Sequence, residues 1–226
     1  VISTSFRNTA IRGYRWNKGA PVRALVVHGF ESSVVNFETY VAALVKKGYE
    51  VLAFDAPAHG KSAGKRMHVL DYRDFLHFVQ QEFGPATRFV AHSVGALALC
   101  LCIAETPDNR HMRLALIAPL TETTSTFRLF SEFLQLAPAV RKELDQIILS
   151  ISGHNLQWFS VSRALAGIRS EVLWHHDRTD LITPFSDLAP VIASNHPNVD
   201  FVFTEGLGHR RIYRDEKVIT RIIEFL

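Results

Sequence analysis

The chain is 226 residues long, with 47% apolar residues, 21% charged residues and a formal net charge of +3. That length and balance lie away from the disordered range and suffice for one domain with a substantial core. The densest basic clusters, Lys46-Lys47 and Lys61 to Arg66, are interrupted and lack interleaved aromatics, so no nucleic-acid partner is expected.

No Ser/Gly/Pro-rich linker or charge block divides the chain, so residues 1–226 read as a single domain. Residues 10 to 17 alternate weakly and meet Lys18-Gly19-Ala20-Pro21, the pattern of an outer strand and a turn. Residues 23 to 28 predict a buried strand, followed by the loop His28-Gly29-Phe30-Glu31-Ser32-Ser33 and an amphipathic helix from about 35 to 47. Gly48 stops that helix, and 50 to 54 predict another strand. Asp55-Ala56-Pro57-Ala58-His59-Gly60-Lys61-Ser62 is dense in turn formers and reads as a loop, with a helix over 69 to 83 beyond it. A strand over 87 to 92 then turns abruptly into an apolar helix.

Ser93 stands on that turn. Ala91 lies two residues before it and Gly95 and Ala96 follow, small residues where a strand reversing into a helix crowds its backbone. The helix carries both cysteines, Cys100 and Cys102, whose spacing sends them to different faces. Reduced core thiols are therefore expected, as in a cytoplasmic protein. No apolar run of about 18 residues is present, so no stable membrane insertion is expected. No signal peptide is visible at Val1, and a chain that does not begin with Met allows for a segment removed ahead of it.

After a strand at 113 to 118, the pattern from 120 to 168 is helical only, with helices predicted over 126 to 136, 139 to 151 and 156 to 165. In the first of these Phe127, Phe130 and Leu134 share one face and Leu129, Phe133 and Leu136 another, an apolar arc that calls for cover on two sides. A strand at 171 to 175, the loop from His176 to Pro184, a helix at 185 to 194, a strand at 199 to 204, the loop Glu205 to Arg211 and a closing helix complete the chain. Repeated strand and helix units imply a parallel sheet with functional loops at the carboxyl ends of its strands.

Those loops hold a hydroxyl, an imidazole and carboxylates. A serine hydroxyl needs a neutral imidazole in hydrogen-bond reach to become a nucleophile, and His209, after Gly206-Leu207-Gly208, is the candidate base. The base needs a carboxylate to fix its tautomer. Asp180 and Asp177 both qualify, with Asp180 preferred because Asp177 lies close enough to the strand end to serve local backbone donors. Two N–H donors must face the developing oxyanion; the amides of Val94 and Phe30 are the candidates, with Glu31 an alternative to Phe30. His175 and His176 are adjacent on a strand and point to opposite faces, so no metal site is expected; a hydroxyl, imidazole and carboxylate relay calls for no cofactor either.

In sum of motifs, His28-Gly29-Phe30, the Asp55 to Ser62 loop, Ala91-His92-Ser93-Val94-Gly95, Asp180 with Pro184 and Gly208-His209, the chain resembles the α/β-hydrolase superfamily along nearly its whole length. It departs from the superfamily's patterns in having Ala91 and Ala58 where Gly is usual. The resemblance implies an α/β-hydrolase fold with an eight-stranded, mostly parallel central sheet, helices on both faces, and 120–168 inserted as a small helical cap. Only about seven strands are read, so the first is expected to be missing or trimmed. The resemblance further implies a serine hydrolase that cleaves a carboxylic ester or thioester of a small to medium apolar acyl group, a small-molecule substrate. Acyl transfer, amide cleavage and carbon–carbon hydrolysis use the same machinery, and a non-catalytic ligand-binding protein could keep the same fold.

Overall fold

A computed structural model describes residues Val1–Leu226. The strands are β1 (Ile2–Phe6), β2 (Thr9–Trp16), β3 (Arg23–Val27), β4 (Glu50–Phe54), β5 (Arg88–His92), β6 (Arg113–Ile117), β7 (Glu171–Asp177) and β8 (Val199–Thr204). They form one eight-stranded sheet in the order β1-β2-β4-β3-β5-β6-β7-β8. β2 runs antiparallel to both of its neighbours, and every other pairing is parallel.

No strand is missing from the sheet; the expectation of seven overlooked β1. Its turn explains why. Arg7 and Asn8 connect β1 to β2 with φ of 47° and 61°. This is the double left-handed geometry of a two-residue hairpin, yet the turn contains no glycine to signal it. β1 is anchored by Phe6, which packs on Phe75 and Phe78.

The sheet has two buried faces, and strand alternation assigns residues to them. Leu25, Val27, Leu52 and Phe54 join one cluster with α2 (Val69–Glu82) and α3 (Ser93–Ala104). Ala24, Val26, Val51 and Ala53 join the other, with α1 (Glu38–Lys46) and the closing helix, whose Val218 and Ile222 are buried there. α3 is buried on nearly every side, which its almost wholly apolar sequence requires. Both cysteines lie inside it as free, buried thiols. No helix is long and apolar enough to cross a membrane.

Between β6 and β7 stand α4 (Thr123–Phe133), α5 (Pro138–Ser152), a 3-10 turn at Leu156–Trp158 and α6 (Val161–Leu165). The single helix expected over 156 to 165 is therefore broken. Phe159 takes a non-helical conformation and the Ser160 hydroxyl caps α6 by accepting from the Arg163 amide at 3.1 Å. The expected cover on two sides of α4 is also absent: among its residues only Ser131 is buried, and α5 buries none. Phe133 is 83% exposed and Ile151 66%. The two helices turn only a shallow apolar cavity of about 230 Å³ toward α2, lined by Val69, Ile147, Ile148, Ile151, Leu156 and Phe159.

After β7 come a 3-10 turn at Phe185–Leu188 and α7 (Ala189–Ala193). β8 leads into α8 (Gly208–Arg211), a 3-10 turn at Ile212–Arg214 and α9 (Glu216–Phe225).

Candidate active site

β5 ends at His92 and α3 begins at Ser93, which stands at φ 55°. A left-handed serine costs about 1–3 kcal/mol of backbone strain, sustained by the packing on both sides. The turn is possible because Gly95 lets α3 approach β3. A Cβ there would stand 2.2 Å from the His28 carbonyl oxygen. Gly29 is as tightly placed, since its Cβ would lie 2.9 Å from that of Ser93. The loop after β3 therefore lies against the serine.

Three side chains distant in sequence meet at this point. The Ser93 hydroxyl lies 2.9 Å from His209 Nε2, and His209 Nδ1 lies 2.8 Å from Asp180 Oδ2. With the proton on Nδ1 donated to the carboxylate, the Nε2 lone pair faces the hydroxyl. All three residues are buried.

Asp180 is held by its own loop: the amides of Ile182 and Thr183 donate to Oδ1 at 2.8 and 2.9 Å, and the Thr183 hydroxyl donates to Oδ2 at 2.8 Å. The same hydroxyl lies 3.2 Å from His209 Nδ1. Burial pushes the carboxyl up, but these donors and the His209 imidazole outweigh it and hold Asp180 below the usual carboxylate range.

Asp177 faces elsewhere. Its carboxylate accepts from the Thr179 amide and hydroxyl on one oxygen, and from the Thr204 hydroxyl and Leu207 amide, at 2.7 and 3.0 Å, on the other. It ties the acid loop to the loop that carries His209. Burial here is also outweighed by these donors, and Asp177 is held well below the ordinary carboxylate value.

Several supporting residues carry no motif of their own. His176 donates from Nε2 to the Thr183 carbonyl at 2.8 Å and accepts from the Trp174 indole at 3.3 Å, bracing the acid loop from beneath. His92 donates from Nε2 to the His209 carbonyl at 3.1 Å. Asp55 accepts from the Val34 amide and the Lys61 amide, both at 2.9 Å, joining the Asp55 to Ser62 loop to the segment after Gly29. Tyr72 donates to the His28 carbonyl and Ala56 N–H to His28 Nε2, so that segment is pinned from both ends. Position next to a motif residue is the one signal the sequence held for His92 and His176. Thr183 had no signal.

Phe30 lies on the loop after β3, 68% exposed, with its ring edge-on to His59. Val94 is the second residue of α3, where an amide has no acceptor within its own helix. His175, unlike His176, projects to the α9 side of the sheet, and neither of its ring nitrogens has a partner. No group of three or more His, Cys, Asp or Glu side chains has the spacing to hold a metal ion. Ser93 opens into a cavity of about 260 Å³ that also touches Phe30, Glu31, Ile182, Arg210 and Arg214.

A family model described as serine aminopeptidase, S33, matches residues 21–180, which include Ser93 and Asp180 and end before His209. The chain belongs to that α/β-hydrolase family. No curated protein matches the sequence. Among solved structures, an esterase of Pyrococcus furiosus is 23% identical at a TM-score of 0.70, covering 100% of this chain and 88% of its own. Est1E of Butyrivibrio proteoclasticus, with ferulic acid bound, is 17% identical at 0.73, covering 100% and 97%. The thioesterase domain of the curacin biosynthetic pathway is 18% identical at 0.69, covering 98% of each. At these identities the likeness establishes the α/β-hydrolase fold.

Proposed function

We propose that the chain is a serine hydrolase that cleaves a carboxylic ester or thioester of a small to medium apolar acyl group through an acyl-enzyme. The relay of 2.9 and 2.8 Å from Ser93 through His209 to Asp180, on a left-handed elbow, carries this reading. Ser93 Oγ attacks the carbonyl carbon as its proton passes to His209 Nε2, and Asp180 stabilises the imidazolium. The oxyanion is held by the Phe30 and Val94 amides. His209 returns the proton to the departing alkoxide or thiolate; water, deprotonated by His209, then attacks the ester formed on Ser93 and releases the acid. Phe30 and Ile182, which line the cavity at Ser93, favour an apolar acyl group. The esterase and thioesterase folds among its neighbours support the bond type. The free buried cysteines support a cytoplasmic location.

The test compares wild type with Ser93→Ala on para-nitrophenyl esters of increasing acyl length, with fluorophosphonate labelling alongside. Expected are labelling and turnover in wild type, loss of both in the variant, and a nearly unchanged melting temperature. Equal turnover in both proteins would refute the nucleophile. An unlabelled wild type, beside a known serine hydrolase labelled in the same tube, would move the protein to the ligand-binding reading.

A further inference from the structure

The cavity at Ser93 is bounded by two arginines that the hydrolytic scheme does not use. Arg210 and Arg214 lie four residues apart along α8 and the 3-10 turn that continues it, so their side chains leave one face. Both are exposed. Like charges at that spacing repel, and little nearby offsets them. Glu31 stands 3.7 Å from Arg210, beyond hydrogen-bonding distance, and Arg214 makes no ion pair but lies 5.2 Å from the centre of the Tyr213 ring.

Several arginines elsewhere are committed. Arg211, between these two, donates to the Leu207 and Gly206 carbonyls and holds the base loop. Arg7, Arg23, Arg73 and Arg113 are paired with carboxylates. Further cations without a carboxylate partner stand beside the site. On the other flank of Phe30 lies a second cavity of about 500 Å³ that shares Phe30, Glu31, Ser32 and Asn36 with the first. Its charged walls are Glu31 again and Lys65 and Arg66, neither of which has an ion-pair partner. Four cationic side chains therefore face the two cavities against one carboxylate. The apolar cavity beneath α5 shares no wall with either.

Resting on the reading of Ser93 as nucleophile, we infer that the substrate carries an anionic group, a carboxylate or a phosphate, which Arg210 and Arg214 engage while the scissile carbonyl sits at Ser93. The guanidinium fork suits both oxyanions, and the field of Lys65 and Arg66 draws the anion to the same mouth. Glu31 is the weakly held counter-charge that the substrate anion replaces at Arg210.

Three matched substrate pairs test this. Para-acetoxybenzoate is compared with its methyl ester, para-acetoxyphenyl phosphate with para-methoxyphenyl acetate, and para-nitrophenyl hemisuccinate with para-nitrophenyl butyrate. The first two place a carboxylate or a phosphate on the leaving group, and the third places a carboxylate on the acyl group. The readout is the ratio of kcat/KM, anionic over neutral, in wild type, Arg210→Gln, Arg214→Gln and the double variant. Arg110→Gln, which alters an exposed arginine paired with Asp108, is the control.

In at least one pair the wild-type ratio is expected to fall about three- to tenfold with each arginine removed, while Arg110→Gln retains it. It should also shrink as salt rises from about 0.01 to about 1 M, where the Debye length falls from about 30 to about 3 Å. The pair that responds identifies which anion is read and on which half of the substrate. Ratios near one in all three pairs, or a preference that survives the double variant, would overturn the inference. Ser93-dependent hydrolysis of the neutral esters would still leave the proposed function standing; neutral-ester turnover independent of Ser93 would instead remove that function.

Discussion

Asp177 and Asp180 stand three residues apart, are both buried, and are held differently because their partners differ. Asp180 spends one oxygen on its own loop and turns the other to His209 and Thr183. Asp177 spends both on Thr179, Thr204 and Leu207. Asp180→Asn should lower kcat by about 10³–10⁴, since the amide favours the wrong imidazole tautomer, with little change in melting temperature. Asp177→Asn should leave a buried donor or acceptor unmatched, cost about 1–3 kcal/mol of stability, and lower kcat far less. Urea denaturation and steady-state kinetics on both variants separate the two roles; the reverse ranking of kcat losses would assign the acid to Asp177. The loop sequence offered both acids. What distinguishes them is contact with Thr204 and Leu207, residues distant in sequence, and with Thr183, a common residue type whose hydroxyl matters only after the loop has closed.

At the level of elements, the site depends on how closely α3 can approach β3; the sequence made legible only the tight reversal of β5 into α3. Ala91, Gly95 and Ala96 mark that turn as crowded, and the neighbour that crowds it, the end of β3, is distant in sequence. At Gly95 a Cβ would sit 2.2 Å from a backbone oxygen, a contact that no side-chain rotation relieves. Gly95→Ala should therefore displace the start of α3 from the end of β3. The expected cost is about 3 kcal/mol, a fall of about 6–12 °C in melting temperature, with loss of activity out of proportion to the loss of fold because Ser93 moves too. Thermal melts and fluorophosphonate labelling rates at a temperature where the variant remains folded would check this; unaltered labelling would mean that the crossing tolerates more than its spacing allows. Other elements left weaker traces. The β1 turn has Arg7 and Asn8 where glycine would have marked it, and Ala58 likewise occupies a left-handed φ of 63° at a position where the resemblance leads one to expect Gly. The break at Phe159 and Ser160 falls inside a helical pattern, where a capping hydroxyl is a weak signal. The exposure of α4 and α5 could not be read from their own periodicity, because an apolar arc specifies a face and not what covers it.

Across the whole molecule, packing loops and helices on both faces of a sheet has enclosed histidines that the chain keeps neutral. Burial pushes His28 and His175 down to about 4 and His92 down to about 3, from an ordinary value of 6.5. His28 and His92 hold backbone positions around the site, whereas His175 is unpaired and lies on the α9 side, within the field of Arg221, Asp200 and Asp215. Below pH 6.5 the unfolded chain takes up protons at these positions and the folded chain does not, so stability is complete above 6.5 and is lost as the pH falls toward about 4. Each histidine contributes a slope of up to about 1.4 kcal/mol per pH unit in that window. Asp177, held below its ordinary value of 3.8, adds the same sign of dependence only at lower pH. Urea unfolding at pH 7, 6 and 5 should show a progressive fall in the free energy of unfolding. His175→Leu should flatten that fall by about one proton's worth, because it removes a buried base that makes no hydrogen bond, and it should leave hydrolysis at pH 7 intact because His175 lies on the face of the sheet away from α3. A slope unchanged by His175→Leu would mean that this imidazole takes up its proton as readily in the folded protein as in the unfolded chain, its carboxylate neighbours offsetting burial in the interior.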